Sequence, residues 1–276
     1  MGLSDAWLYA GMTLDLPDIK RLDLGHIAIL VKQAPFKQDV PDSGNQDAAA
    51  VIPVDQNSVV LAIADGVGGA ACGDIAARLV IESLATGLQN ASGGSLRDAI
   101  LNAIEQANRA ILELENGAAT TLAVVGINGN RARSYHIGDS GIIVTGQRGR
   151  LRLQTIAHSP TGYAIEAGLI DETEALAHAQ RNIVSNVVGS RDLRIEIGPE
   201  IRLAPRDTVL VASDGLFDNM LTEEIIAHIR CGDLVNAATA LAGICTERML
   251  ASEVDVRPGH ADDLSFIIYR PYSHTG

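Results

Sequence analysis

The sequence predicts an α+β fold that combines antiparallel sheets with paired helices. Two short β-prone runs, at 121–127 and 131–137, are joined by Asn128-Gly129-Asn130, and Asn-Gly is a strong signal for a β-hairpin. Two helical patterns, at about 69–89 and 96–116, follow one another with a short polar connection between them. Because successive hairpins build antiparallel sheet, a doubly wound parallel fold is not expected.

The first half of the chain alternates these helices with strands. Apolar runs at 26–32, 48–54 and 59–64 are typical of buried strands. A second hairpin is expected over 141–153, with its turn between Gly146 and Gly149. The second helix has one apolar face, formed by Leu96, Ile100, Ile104, Ala107, Ile111 and Leu114.

The second half opens with a mixed polar segment at 157–189, in which short helices are expected around 161–168 and 173–179. After this segment the pattern predicts a strand, two helices and a final strand, at 208–213, 222–229, 234–250 and 264–270.

Composition restricts the possible partners and the compartment. The 276 residues carry a net charge of −13, which argues against non-specific binding to nucleic acid or to anionic membranes. Cys72, Cys231 and Cys245 are odd in number and widely spaced, so no disulfide framework is expected. No secretory signal or membrane-spanning apolar run is evident. These observations favour a cytoplasmic protein.

The candidate functional residues occur in a repeated pattern, in which an apolar strand ends in an aspartate beside a small residue. It occurs three times, as Asp65-Gly66, Asp139-Ser140 and Asp214-Gly215. Asp47 and Asp262 each stand just before an apolar run. One strand-end aspartate is most often a helix cap or a turn former. Several converging carboxylates would repel one another unless cations lay between them, and such hard oxygen ligands select Mg²⁺ or Mn²⁺.

The glycine-rich stretch 64–74 raises an alternative, since a strand, a glycine-rich turn and a helix also build phosphate-binding loops. Those loops require Gly-x-x-x-x-Gly-Lys-Ser/Thr, or Gly-x-Gly-x-x-Gly in a βαβ unit. Gly66, Gly68 and Gly73 do not fit the second spacing, and the stretch contains no lysine. A nucleotide cradle is therefore the weaker interpretation.

The ordered motifs NQDA, ADGVGG, TTL, HIGDS, SDGLFD and ADDLSFII resemble the metal-dependent protein phosphatases of the 2C type, the PPM family, in its bacterial form. The resemblance runs from about Asn45 to Arg270. It implies a single phosphatase domain over 1–276, with an N-terminal extension at 1–22 and a flap segment at about 157–190. The implied architecture is a four-layer αββα sandwich, in which two central antiparallel sheets are flanked by helix pairs.

The resemblance also implies roles for the aspartates. Asp65 would bridge two Mg²⁺ or Mn²⁺ ions, and the carbonyl of Gly66 would bind one of them. Asp214 and Asp262 would hold the opposite metal, and Asp139 with Asp214 would take a third, looser ion. Asp47 would orient the metal ligands. The catalytic residues implied are Asp47, Asp65 and Asp214.

The implied reaction is hydrolysis of phosphoserine or phosphothreonine by a metal-activated water held at a binuclear centre. Phosphorylated proteins, the products of a cognate serine/threonine kinase, would be the partners. The alternative is a pseudophosphatase, in which the same fold acts as a binding module with weak or no turnover.

Three departures from the family pattern bear on that alternative. Asp42 stands where the family has a phosphate-binding arginine, so Lys37 becomes the candidate substrate-binding residue. Val67 occupies the position of a histidine that would protonate the leaving group in eukaryotic members. Asp263 replaces an asparagine and adds negative charge beside Asp262.

Overall fold

A computed structural model describes residues 6–37, 44–67, 72–90, 94–251 and 259–272. Its strands are β1 (Trp7–Ala10), β2 (Asp18–Leu22), β3 (Gly25–Lys32), β4 (Asp47–Asp55), β5 (Ser58–Asp65), β6 (Leu122–Asn128), β7 (Arg131–Ile137), β8 (Gly141–Thr145), β9 (Leu151–Gln154), β10 (Glu196–Ile197), β11 (Ile201–Arg202), β12 (Thr208–Ala212) and β13 (Leu264–Pro271). Its α-helices are α1 (Gly73–Gln89), α2 (Leu96–Leu112), α3 (Pro160–Glu166), α4 (Glu172–Leu176), α5 (Asp214–Phe217), α6 (Thr222–Ile229) and α7 (Leu234–Leu250).

The strands form two antiparallel sheets. Sheet A has the order β1-β4-β5-β6-β7-β10, and β11 also pairs with β7. Sheet B has the order β2-β3-β13-β12-β8-β9. Both predicted hairpins are present, as β6–β7 and β8–β9.

Three apolar layers hold the elements together. One layer lies between sheet A and the pair α1 and α2, and a second lies between the two sheets. The third lies between sheet B and the helices α5, α6 and α7. The predicted four-layer αββα sandwich is therefore confirmed.

Strand β4 shows why the strands of this protein appear in the sequence as continuous apolar runs, without alternating polar residues. Ala48, Ala50 and Ile52 face the helices, whereas Ala49 and Val51 face the other sheet. A strand covered on both faces needs no polar residue at alternate positions. The small side chains let the helices and the second sheet approach this strand closely, in a core with few aromatic residues.

The N-terminal residues take part in the sandwich. Residues 1–22 were predicted as an extension, and within them β1 pairs with β4 and β2 pairs with β3. Both are edge strands, and every side chain of β2 is either half-buried or exposed. Strand β1 (WLYA) is apolar but only four residues long, and β2 (DIKRL) is largely charged. Backbone pairing with the neighbouring strand therefore determines their conformation.

Among the described residues, no helix combines the length and apolarity that crossing a membrane requires.

The turn between β7 and β8 fixes where Asp139 lies. Gly138 has a φ of +95°, and a Cβ atom there would lie 2.7 Å from Cβ of Thr121. The turn is therefore pressed against the start of β6. Gly129, in the β6–β7 hairpin, also has a positive φ of +56°, but a Cβ atom there would have no neighbour within 4 Å.

We expect Gly138→Ala to lower the free energy of unfolding by about 2–5 kcal/mol, because a left-handed backbone and an overpacked contact both add to the cost. Gly129→Ala is the matched control and should cost only about 1–2 kcal/mol, from the backbone alone. Urea unfolding of the two variants measures the difference. Equal losses would show that Thr121 does not constrain the turn.

Candidate active site

Sheet A delivers two aspartates side by side. Asp47 begins β4 and Asp65 ends β5, and the two residues are direct cross-strand partners. The next residue, Gly66, donates its N–H to the carbonyl of Gln46 at 3.1 Å. A Cβ atom at Gly66 would lie 2.4 Å from the carbonyl carbon of Gly73. Only glycine therefore fits where the chain passes the start of α1.

The backbone of Asp65 is held by two threonines. Its carbonyl accepts hydrogen bonds from the N–H of Thr121 at 2.8 Å and from the hydroxyl of Thr120 at 2.7 Å. Its own N–H donates to Oγ1 of Thr121 at 3.2 Å. That hydroxyl also shares a 2.6 Å hydrogen bond with Ser140, the neighbour of Asp139. The TTL motif thus fixes Asp65 relative to the turn that carries Asp139.

Sheet B brings the remaining aspartates. Asp214 opens α5 directly after β12, and Asp262 stands two residues before β13. A Cβ atom at Gly215 would lie 2.0 Å from the carbonyl oxygen of Asp263, so α5 rests against the start of β13. This close approach brings Asp214 beside Asp262.

One buried hydrogen bond joins the two sheets at this end of the sandwich. The hydroxyl of Ser213 donates to Oδ2 of Asp47 at 2.9 Å and accepts from the N–H of Ser265 at 3.0 Å. Ser213 and Asp47 are both buried. When Asp47 is ionised, its charge makes this buried bond stronger than one between neutral groups.

Asp218 joins the same group, although the sequence patterns did not assign it a role. It follows the one-turn helix α5, and Asp218 N–H donates to the carbonyl of Asp214 at 2.7 Å. The four-residue spacing within SDGLFD is the signal that could have revealed it, since residues i and i+4 share one helix face. We call Asp47, Asp65, Asp139, Asp214, Asp218 and Asp262 the acidic cluster.

Burial and mutual repulsion raise the pKa values throughout the acidic cluster. Burial is the largest cause for every member. The pKa of Asp47 rises to about 7, and that of Asp218 also to about 7. The pKa of Asp139 rises to about 6. The neighbouring charges of Asp214 and Asp262, respectively, add to the upward shifts of Asp65 and Asp214.

Several carboxylate oxygens of the cluster are buried without a hydrogen-bond partner. Oδ1 of Asp47, of Asp139 and of Asp214 all belong to this group. An unpaired buried acceptor is costly, because it has lost its water and gained nothing in return. Oxygen atoms of this kind fit the coordination preferences of Mg²⁺ and Mn²⁺.

The structure gives Lys37 a partner on the protein. Its Nζ lies 2.8 Å from Oδ2 of Asp263 and 4.0 Å from Oδ1 of Asp262. Burial acts to lower the pKa of Lys37, but the hydrogen bond and the charge of Asp263 outweigh it, and the net shift is upward. Substrate binding by Lys37 stays a prediction. Asp42 lies outside the described residues.

A second group of possible metal ligands stands behind the Asp139 turn. Among the described residues, His136, His158 and Glu196 are the one His/Cys/Asp/Glu trio whose ligand atoms all lie within 4.8 Å of one another. Nδ1 of His158 accepts from the N–H of Gly138 at 3.1 Å and from the amide of Asn186 at 2.9 Å. Nε2 therefore carries the proton and donates to Glu196 at 3.1 Å. These bonds tie the turn to β10.

Comparison with known proteins gives a consistent result. A family profile for protein phosphatase 2C matches residues 40–249. A putative 2C-type protein phosphatase of Streptococcus pyogenes is 30% identical over 195 residues, which are 67% of this chain and 78% of that protein.

Solved structures share the fold. The serine/threonine phosphatase of S. agalactiae superposes with a TM-score of 0.73 at 26% identity, over 88% of this chain and 98% of that one. The catalytic domain of the phosphatase PstP, solved in complex with two manganese ions, gives a TM-score of 0.70 at 24% identity, over 90% of this chain and 98% of that one. The chain therefore belongs to the protein phosphatase 2C family, in its bacterial branch.

Proposed function

We propose that the protein hydrolyses phosphoserine and phosphothreonine in proteins, with Mg²⁺ or Mn²⁺ bound at the acidic cluster. The observation that carries this proposal is the convergence of unpaired, buried carboxylate oxygens from the ends of both sheets. A protein that used this fold only to bind a partner would have no need of such a costly arrangement.

Asp65, Asp214, Asp262 and the carbonyl of Gly66 would hold two ions, and Asp139 would contribute to a third. The donors are all oxygen atoms, which Mg²⁺ and Mn²⁺ prefer. Without cations, burial and then the charges of neighbouring aspartates raise the pKa values of Asp65 and Asp214. When bound, such ions would supply a nucleophile at neutral pH and positive charge for the phosphoryl oxygens.

The protein's own contribution is to hold these groups in place before substrate arrives. Thr120 and Thr121 fix the backbone of Asp65, and Ser213 fixes Asp47. Groups that are already in position need no rearrangement during the reaction. Most of their catalytic benefit comes from avoiding that cost. Val67 offers no proton at its position, so the leaving alkoxide would take its proton from water, without general-acid assistance from that side chain.

We infer that phosphoproteins made by a cognate serine/threonine kinase are the substrates and that the protein acts in the cytoplasm. The family membership supports the first inference. The second is supported by the three cysteines, all of which are free thiols, since disulfides are rare in reducing compartments.

We expect the protein to hydrolyse both an aryl phosphate and a phosphothreonine peptide when Mn²⁺ is present, and EDTA should abolish both activities. Asp214→Ala should lower kcat/KM by at least about 100-fold, since even residues that only support metal ligands cost 10–100-fold when removed. Steady-state kinetics with both substrates measure the loss.

Asp98→Ala is the matched control, because it removes an exposed aspartate from the first turn of α2, and it should retain the activity of the unaltered protein. Binding of Mn²⁺ by the unaltered protein without turnover of either substrate would contradict the proposal and favour the pseudophosphatase.

The pKa shifts predict how stability depends on pH in the absence of metal. Folded Asp47, Asp139 and Asp218 keep their protons up to pH of about 7, 6 and 7, whereas an unfolded aspartate releases its proton near pH 3.9. The folded state therefore binds more protons in this window, and the free energy of unfolding falls as pH rises through it.

We expect the Tm of the metal-free protein to be lower at pH of about 7.5 than at about 5. A Mn²⁺ concentration about 100 times its Kd at pH of about 7.5 should restore about 2.7 kcal/mol there. The same concentration should raise the Tm less at pH of about 5, because protons compete with Mn²⁺ for the carboxylates. Differential scanning calorimetry tests both effects. Asp214→Asn should reduce the pH slope and the Mn²⁺ response together, and a Tm that ignores Mn²⁺ at both pH values would argue against a cation site.

A further inference from the structure

A cleft of about 300 Å³ lies between the flap segment and the body of the domain. The flap contributes α3 and α4, and the body contributes β8, the end of β9 and α5. The volume corresponds to roughly ten water molecules, which is at the lower end of ligand-binding sites.

The cleft is mostly apolar but opens onto the acidic cluster. Asp139, Asp214 and Asp218 line one end of it. Its apolar walls are formed by Ile142, Ile156, Ile165, Leu176, Phe217 and Met220. An apolar space of this size is poorly suited to ordered water, which needs two to four polar partners.

Local contacts position the two sides of the cleft. A Cβ atom at Gly162 would lie 2.2 Å from the carbonyl oxygen of Ala157, so the first turn of α3 packs tightly against the chain that leads into it. At the end away from the cluster, Oε2 of Glu172 accepts the N–H of Thr222 at 3.0 Å. The hydroxyl of Thr222 in turn accepts from the amide of Gln154 at 2.9 Å.

The charge around the cleft limits what can enter it. Glu166 and Glu172 belong to its lining on the flap side, and Asp218 belongs to it on the other side. The lining also contains Arg181, whose Nε lies 4.0 Å from Oδ2 of Asp218, so its charge is opposed locally and the acidic groups remain in excess. The chain as a whole carries a net charge of −13. An acidic group would be repelled from such surroundings, whereas an uncharged apolar group would gain from contact with the walls.

We propose that this cleft binds an apolar side chain of the phosphoprotein substrate, close in sequence to the phosphorylated residue. The proposal rests on the proposed function, because a phosphate bound at the acidic cluster would leave the neighbouring substrate residues at the mouth of the cleft. The flap would thereby select among phosphoproteins by the residue beside the phosphate.

A set of phosphothreonine peptides tests the proposal in the presence of Mn²⁺. One leucine is placed in turn at each position from three before to three after the phosphothreonine, with alanine elsewhere. At the best position, leucine should give a kcat/KM about tenfold or more above that of alanine, the usual effect of filling an apolar pocket. Aspartate at the same position should fall below alanine.

Variants of Ile165 then connect the preference to the cleft. Ile165→Trp should fill it and reduce the leucine preference to below about threefold. Ile165→Ala should enlarge it and shift the preference from leucine toward phenylalanine, a change that general damage to the fold would not produce. Leu169→Trp is the matched control, because Leu169 follows α3 and is 76% exposed, and it should keep the original preference.

Two results would overturn the proposal in different ways. Turnover of every peptide at similar kcat/KM, or an unchanged leucine preference in both Ile165 variants, would refute the role of the cleft and leave the phosphatase function standing. A lack of turnover with the peptides and with an aryl phosphate alike would refute the proposed function itself, and this inference with it.

Discussion

The mutual repulsion of buried carboxylates is the constraint on which the arrangement of this protein depends. Asp47 and Asp65 come from one sheet, and Asp214 and Asp262 come from the other. Left to itself, such a group would separate or take up protons, as the raised pKa values indicate. The sandwich prevents separation, because each of these aspartates stands at or near the end of a strand whose residues are mostly buried. The favourable burial of three apolar layers offsets the cost of the site.

The same constraint explains why the site needs two sheets that are packed in a fixed relative position. A single sheet could place Asp47 beside Asp65, but it could not bring Asp214 to face them. The Ser213–Asp47 hydrogen bond joins the sheets where the ligands meet, and the Thr121–Ser140 bond links β6 to the Asp139 turn. Small shifts between the layers would change the spacing of the oxygen atoms directly. Hydrogen bonds at the site, in addition to apolar packing, therefore set the geometry.

Sequence patterns predicted the long buried strands and helices and missed most of the short strands at the edges of the sheets. Strands β3, β4, β5 and β13 are continuous apolar runs and helix α2 has one apolar face, so their positions could be predicted closely. The edge strands β1 and β2 have only four and five residues, and their conformation comes from pairing with β4 and β3, respectively. In the site, the strand-end aspartates could be recognised in the sequence as a repeated pattern. The contact between Lys37 and Asp263 could not be predicted, because the two residues are 226 positions apart and only the folded chain brings them together.

The Lys37–Asp263 pair shows how a departure from the family pattern is balanced locally. A carboxylate at position 263 adds negative charge next to Asp262, where charge is already in excess. The oxygens of Asp263 accept from Nζ of Lys37 and from the N–H groups of Ala34 and Gln46, each at 2.8 Å. A carboxylate with three such donors is well satisfied although it is buried. Lys37 therefore acts as a counter-charge to Asp263 in this structure. The lysine holds the segment after β3 against the start of β13, and the N–H of Gln46 holds the residue before Asp47 to the same carboxylate. Asp263 thereby links the neighbours of Asp47 and Asp262.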